Sequence, residues 1–279
     1  MDTHQVALVT GATSGIGAAT ARALHAQGWT VYGSGRRVER LAALADEGVR
    51  PLPMDLTDDA TLVAAVDRVL AETGRIDLLV NNAGYGSLGS LEETPLDEGR
   101  RQFDVNVFGA ARLIQLVVPH MRGAGRGRIV NVTSGGGKAH TPLGSWYHGT
   151  KFALEAISDC LRIELAPFGI DVVVVEPGPT DTEWGGIAAH LLRETSGSGP
   201  YARLAVPLAA GYDHVGGTAR LTPSATVARV ITTAATARRP RTRYAIGAAR
   251  AAVLARRWLG DRAYDRLIVR VSGLPRARR

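Results

Sequence analysis

Cysteine and lysine are almost missing from this chain of 279 residues. The single cysteine, Cys160, excludes an internal disulfide framework and a multi-cysteine metal site, and it fits a reducing compartment. His140, His148, His190 and His214 show no metal-ligand spacing, so no metal is expected. No apolar run reaches the 18 residues a membrane-spanning helix needs, and the chain enters "HQVALVTGA" without a basic leader, so a cytoplasmic protein is expected. Only Lys138 and Lys151 are lysines among 33 basic residues. The net charge of +7 is uneven: thirteen arginines stand against Asp261 and Asp265 between positions 238 and 279, which leaves the remainder mildly acidic. The basic end carries no nucleic-acid motif and no aromatic–basic interleaving, so no nucleic-acid partner is expected. It reads as a solvated face, with peripheral contact to an anionic membrane surface the lesser alternative.

What is present is a regular alternation. Valine- and isoleucine-rich runs at 6–10, 30–35, 49–54, 76–82, 127–134 and 170–177 read as strands, several of them apolar on both faces as buried parallel strands are. Helical patterns fill 15–27, 37–46, 58–73, 97–122 and 145–167, and a helix near 223–237 leads to a seventh strand at 242–247. Such alternation predicts one α/β domain over 1–279, a Rossmann-type doubly wound parallel sheet of about seven strands with helices on both faces. The stretch 183–222 breaks the rhythm with glycine and serine. It follows the carboxyl end of a strand and is expected to be a long irregular substrate lid over the ligand crevice. At the far end, a basic extension over about 248–279 reads as one amphipathic helix within 249–274.

"TGATSGIG" (10–17) lies between the first strand and the first helix. Gly11, Gly15 and Gly17 let the chain turn tightly and bring backbone amides to a pyrophosphate at the helix N-terminus. After the second strand, where an acid commonly selects NAD by holding ribose hydroxyls, this chain has Arg36 and Arg37. A guanidinium can bind a 2′-phosphate that a carboxylate would repel, so NADP(H) is the expected cofactor. "WYHGTK" (146–151) places Tyr147 and Lys151 four apart, on one helix face. An unperturbed tyrosine titrates near 10, and a neighbouring ammonium would lower that value toward working pH while also reaching a ribose. Ser134, 13 residues before Tyr147 at a strand end, can donate to a carbonyl oxygen as negative charge builds. Thr133 beside it is a poorer candidate, and Cys160 reads as packing. Trp146, Trp184, Tyr201 and Tyr212 suit either an apolar substrate pocket or ordinary packing.

"TGATSGIG", "NNAG" (81–84), Asn106 in "DVNVFG", Ser134 in "VNVTSGG", "YHGTK" and "PGPTDT" (177–182) occur in the order found in short-chain dehydrogenases/reductases, which the chain resembles over roughly 5–182. The region after Tyr147 further looks like the branch of hydroxysteroid and retinol dehydrogenase relatives. The resemblance implies that Tyr147 is the acid/base, that Lys151 lowers its pKa and binds ribose, and that Ser134 orients the carbonyl. It also implies that Asn106 holds a water in a proton relay. It assigns adenine to Asp55 with Leu56 beside it, the adenosine side to Asn82, Ala83 and Gly84, and the nicotinamide to Pro177, Gly178, Thr180 and Thr182. Thr13, Ser14 and Ile16 join the glycines, with Ser14 and Arg36 at the 2′-phosphate. The expected substrate is a hydrophobic ketone, aldehyde or alcohol, and the expected assembly a homodimer or homotetramer through helices 97–122 and 145–167. A dehydratase or epimerase on the same fold, and a dinucleotide-sensing protein without turnover, are the competing readings. Without the resemblance, Asp55 could equally cap the following helix, and "NNAG" could be a plain turn.

Overall fold

A computed structural model describes residues 5–214 and 221–272. Seven strands form one wholly parallel sheet in the order β3-β2-β1-β4-β5-β6-β9. They are β1 (Val6–Val9), β2 (Thr30–Gly35), β3 (Arg50–Pro53), β4 (Leu78–Asn81), β5 (Gly127–Val132), β6 (Ile170–Pro177) and β9 (Arg243–Ile246). A two-residue strand β7 (Thr180–Asp181) pairs separately with β8 (Thr222–Pro223). The central strands are apolar on both sides because both sides are covered: every residue of β1 and β4 is buried, and in β6 only Asp171 is exposed.

One face buries α1 (Gly15–His25), α2 (Val38–Ala45) and α9 (Ser224–Thr236) through Ala21, Leu24, Leu44, Val227 and Ile231. The other buries α3 (Asp59–Thr73), α5 (Gly109–Gly123) and the end of the helix that leads into β6 through Leu62, Val66, Leu113, Val117 and Leu165. Each such side chain contributes about 1.5–3 kcal/mol by leaving water. The chain winds outward from β1 in both directions, toward β2 and toward β4. The crevice beyond the carboxyl ends of those strands is therefore the place for a ligand in a sheet of this kind.

Three stretches differ from the expectation. The span 97–122 is not one helix: α4 (Leu96–Phe103) and α5 are joined by a π-helical turn over Asp104–Phe108. The wider turn carries Asn106 near its middle, and such insertions often mark functional sites. The lid is not irregular either. Residues after Glu183 form α7 (Trp184–Ser196) and α8 (Ala202–His214), which pack on one another through Ala188, Ala189, Leu192, Ala205 and Ala209. Small residues let the two backbones approach, so glycine and serine between them act as connectors. Positions 215–220 of the expected lid lie outside the described residues. The C-terminal helix is two, α10 (Ala249–Trp258) and α11 (Asp261–Val271), broken at Leu259 and Gly260. The break lets Tyr264 turn inward, where it is buried and its hydroxyl donates to the His140 carbonyl at 3.1 Å. Residues 273–279 of the expected extension lie outside the described residues.

Candidate active site

The glycine-rich turn leaves β1 with Gly11 at φ +66° and enters α1 at Gly15 with φ +51°. Gly17 has no room for a side chain: a Cβ there would stand 2.2 Å from the Gly11 carbonyl oxygen and 2.5 Å from Asn82 Nδ2. Asn82 in turn donates to the Thr10 carbonyl at 2.9 Å, while the Thr10 hydroxyl accepts from the backbone N–H groups of Asn82 and Ala83. The ends of β1 and β4 are thereby laced together beneath the turn. Ser14 precedes α1 without capping it by its side chain, which leaves the first amides for an anion. Thr13, Ser14 and Ile16 fill the rest of the turn, with Ile16 packed on the core.

Arg37 reaches back across this turn, donating to Thr13 Oγ1 at 3.1 Å and Ser14 Oγ at 2.8 Å. It also pairs with Glu183 at 3.0 Å, and Arg40 pairs with the same carboxylate at 2.7 Å. Arg36 is exposed and lies 3.9 Å from Asp55 Oδ2. Asp55 does not cap α3. Its carboxylate accepts from the Thr57 N–H and hydroxyl at 3.0 and 2.9 Å, and Asp58 is the cap, accepting from Ala60 N–H. Burial pushes the Asp55 carboxyl up, but the Thr57 hydrogen bonds and the charges of Arg36 and Arg101 together hold it below its ordinary value. Leu56 stands beside it, against Gly109 of α5. The close backbone approach at Gly17, the uncapped amides and the arginines beyond β2 are the features a dinucleotide phosphate needs, so the residues present fit that cofactor.

Tyr147 and Lys151 sit in the first turns of α6 (Ser145–Leu165). Burial raises the Tyr147 phenol above its ordinary value, and the opposing pull comes from a hydrogen bond with Ser134 rather than from the lysine. Lys151 is 6% exposed and donates to the Val132 carbonyl at 3.1 Å. Burial lowers its ammonium to about 8, partly offset by the charge of Glu155. Asn106 is held on three sides: Oδ1 accepts from Tyr85 N–H at 3.0 Å, and Nδ2 donates to the Tyr85 carbonyl at 2.9 Å and to Thr150 Oγ1 at 3.1 Å. A Cβ at Gly84 would stand 2.9 Å from Asn106 Oδ1 and 3.7 Å from Lys151 Nζ, so both side chains converge on that backbone. Ser134 lies two residues beyond β5; its hydroxyl accepts from Gly136 N–H at 3.0 Å and donates to the Pro177 carbonyl at 3.5 Å.

Further residues shape the site, two of them, His148 and Thr150, from within "YHGTK" itself. His148 accepts from Thr141 N–H at 3.0 Å through Nε2 and faces the Gly136 carbonyl at 2.9 Å through Nδ1, spanning the loop that carries Ser134. Thr150 supports Asn106, and its spacing from Tyr147 was the available clue. Trp184 lies against Tyr147, ring centroids 5.2 Å apart, and against Tyr212 at 5.9 Å. Tyr201 joins this lid cluster, whereas Trp146 packs elsewhere, over Gly99 and Phe103. Glu183 ties the lid's start to Arg37 and Arg40, and Thr182 presses on Gly15. The Gly178 N–H donates to Ile246, and the Thr180 hydroxyl to the Gly178 carbonyl, which fixes the bend after Pro177.

A seven-stranded parallel sheet whose switch point holds a glycine-rich turn, with a tyrosine–lysine helix beside it, defines a dinucleotide-binding α/β protein. The profile of the short chain dehydrogenase family matches residues 5–188, and the chain belongs to that family. It is 40% identical over 178 residues to a 3-ketodihydrosphingosine reductase of Bacteroides thetaiotaomicron, covering 64% of this chain and 65% of that one. A short-chain dehydrogenase from Streptomyces avermitilis shares 33% identity and superposes with a TM-score of 0.80, over 98% of this chain and 96% of that one. A 3-ketoacyl-(acyl-carrier-protein) reductase from Brucella melitensis, solved with NADH, is 27% identical with a TM-score of 0.72, over 87% of this chain and 96% of that one. No helix among the described residues is long and apolar enough to cross a membrane.

Proposed function

We propose that the protein is an NADP(H)-dependent oxidoreductase that interconverts a carbonyl and a secondary alcohol on a hydrophobic substrate. The observation that carries the reading is the convergence of Asn106 and Lys151 on Gly84, at the end of the sheet where the glycine-rich turn opens, with the Tyr147 ring against the Gly136 turn that follows Ser134. The nicotinamide, when bound, supplies or accepts the hydride. Tyr147 delivers the proton that the developing alkoxide requires, and Ser134 donates to the same oxygen. The Lys151 ammonium lowers the phenol's pKa and grips the ribose, and Asn106 holds the water that refills the relay. Arg36, Arg37 and Ser14 take the 2′-phosphate. Asp55 and Leu56 take the adenine, Asn82, Ala83 and Gly84 the adenosine side, and Pro177, Gly178, Thr180 and Thr182 the nicotinamide.

The substrate class follows from the wall above Tyr147. Trp184, Tyr212, Leu88, Leu143 and Leu192 make that side apolar, and α7 and α8 form its roof. The likeness to a reductase of a long-chain keto compound supports the same class. Association as a homodimer or homotetramer through 97–122 and 145–167, where Phe108 of the π-helical turn and Phe152 of α6 are exposed, belongs to the same reading. The test is consumption of NADPH and of NADH by purified protein over a panel running from long-chain keto compounds to small cyclic ketones. Turnover of apolar ketones with NADPH preferred supports the reading. Preference for NADH would remove the assigned role of the two arginines.

A further inference from the structure

Directly behind the site lies a knot of buried charge that the chemistry above does not use. Glu155 stands one helical turn beyond Lys151 on α6 and is 2% exposed. Its Oε1 accepts from the Thr133 hydroxyl at 2.6 Å, and its Oε2 from Arg243 Nε of β9 at 3.1 Å, with Lys138 Nζ also at 3.1 Å. Thr133 precedes Ser134 and Lys138 follows the short 3-10 turn Gly135–Gly137, so one carboxylate holds both ends of the turn that presents the serine. Gly137 seals it from above: a Cβ there would stand 2.9 Å from Glu155 Cγ and 3.1 Å from the Lys151 carbonyl oxygen.

The remaining groups around Glu155 settle where its charge is felt. Glu176 of β6, also 2% exposed, lies 3.5 Å from Arg243 Nε, and its Oε1 has no hydrogen-bond partner among the described residues. Burial and the neighbouring Glu155 charge raise the Glu176 carboxyl to about 7. Arg243 is divided among Glu155, Glu176 and Asp159, and Asp159 is also paired with Arg162. Lys151 has no carboxylate in hydrogen-bonding contact among the described residues, and the charge that acts on it is that of Glu155.

We propose that Glu155, which touches neither substrate nor cofactor, is a positioning residue for the reaction: it is the buried counter-charge of Lys151 and the tether of the Ser134 turn. The role in the reaction rests on the reductase reading; the electrostatic coupling does not. Two lysines make the coupling directly measurable. Protein grown on lysine labelled with carbon-13 at the ε position gives two signals, and Lys138→Arg assigns them. The expected result is a Lys151 midpoint near 8 in the unmodified protein and a lower one in Glu155→Gln. Thr133→Val breaks the same knot but keeps the charge, and should leave the midpoint in place. An unchanged midpoint in Glu155→Gln, or an equal shift in Thr133→Val, would overturn the proposal. Should Glu155→Gln fail to fold, Lys138→Gln leaves the Glu155 charge less neutralised and should raise the Lys151 midpoint; no movement there also overturns it. The titration needs neither cofactor nor substrate, so a protein without carbonyl turnover refutes the reductase reading alone.

Discussion

The half of the crevice proposed for the cofactor and the half proposed for the substrate are built by different means. Around β1 and β4 the shape is dictated by backbone: glycines at positive φ, a close approach at Gly17 that leaves no room for a side chain, and amides laced by Thr10 and Asn82. Over Tyr147 the shape is dictated by side chains: Trp184 on the tyrosine ring, alanines between α7 and α8, and ion pairs at the lid's edge. Backbone shape tolerates almost no substitution, whereas a packed apolar wall can change its members and keep its character. A cofactor common to many reactions suits the first kind of construction, and a variable substrate suits the second.

That contrast can be broken by substitution. The largest effect is expected at Gly17→Ala, where the added methyl meets a carbonyl oxygen that cannot retreat. Overpacking of about 1–3 kcal/mol or more corresponds to NADPH binding weakened roughly 10- to 100-fold, read by calorimetry, with a lowered melting temperature. Asn106→Ala leaves the Tyr85 N–H and carbonyl without their partner, and a loss of about 1–3 kcal/mol should appear in denaturant unfolding. Next comes Trp184→Ala, which removes the ring over Tyr147. KM for an apolar ketone should rise about tenfold, as expected for 1.5 kcal/mol of lost burial, while NADPH affinity holds. Equal losses for ketone and cofactor would erase the distinction between the halves. The smallest effect belongs to Glu183→Gln. Its partners Arg37 and Arg40 are nearly half exposed, so less than about 1 kcal/mol of stability is at stake.

The pH dependence has a definite sign. Burial lowers the Lys151 ammonium to about 8, and on the proposed reading reduction of the carbonyl needs that ammonium charged. As pH rises through that value the charge is lost, so the rate of reduction should fall across it. A rate that climbs through the same range would contradict the assignment of Lys151.

Most of the sheet and the convergent residues were legible because their signals are short-ranged. Valine-rich runs mark β1, β4 and β6, and the glycine spacing of 10–17 marks the turn. The π-helical turn was not legible, since "DVNVFG" continues a helical pattern and only the tertiary pull of Tyr85 and Thr150 on Asn106 widens it. The lid misled because glycines at 185, 186, 197 and 199 suggest irregular chain, while the pairing of Ala188, Ala189, Ala205 and Ala209 that makes it helical is long-ranged. Glu155 and Glu176 escaped for a similar reason: their partners arrive from β9 and from the turn after β5. One signal was available, a glutamate ending the apolar run of β6, since a carboxylate there must find a partner or a proton. Burial raises the Tyr147 phenol and Ser134 opposes it, so the lowering expected from Lys151 stays part of the proposed reading.

The central claim is that Tyr147 delivers the proton, and one comparison tests it most directly. NADPH binding and single-turnover oxidation of NADPH by a ketone are measured on the unmodified protein and on Tyr147→Phe. The account predicts equal NADPH affinity and a chemical step slowed by about 10²- to 10⁴-fold in the variant. A Tyr147→Phe protein that oxidises NADPH at the unmodified rate would contradict it.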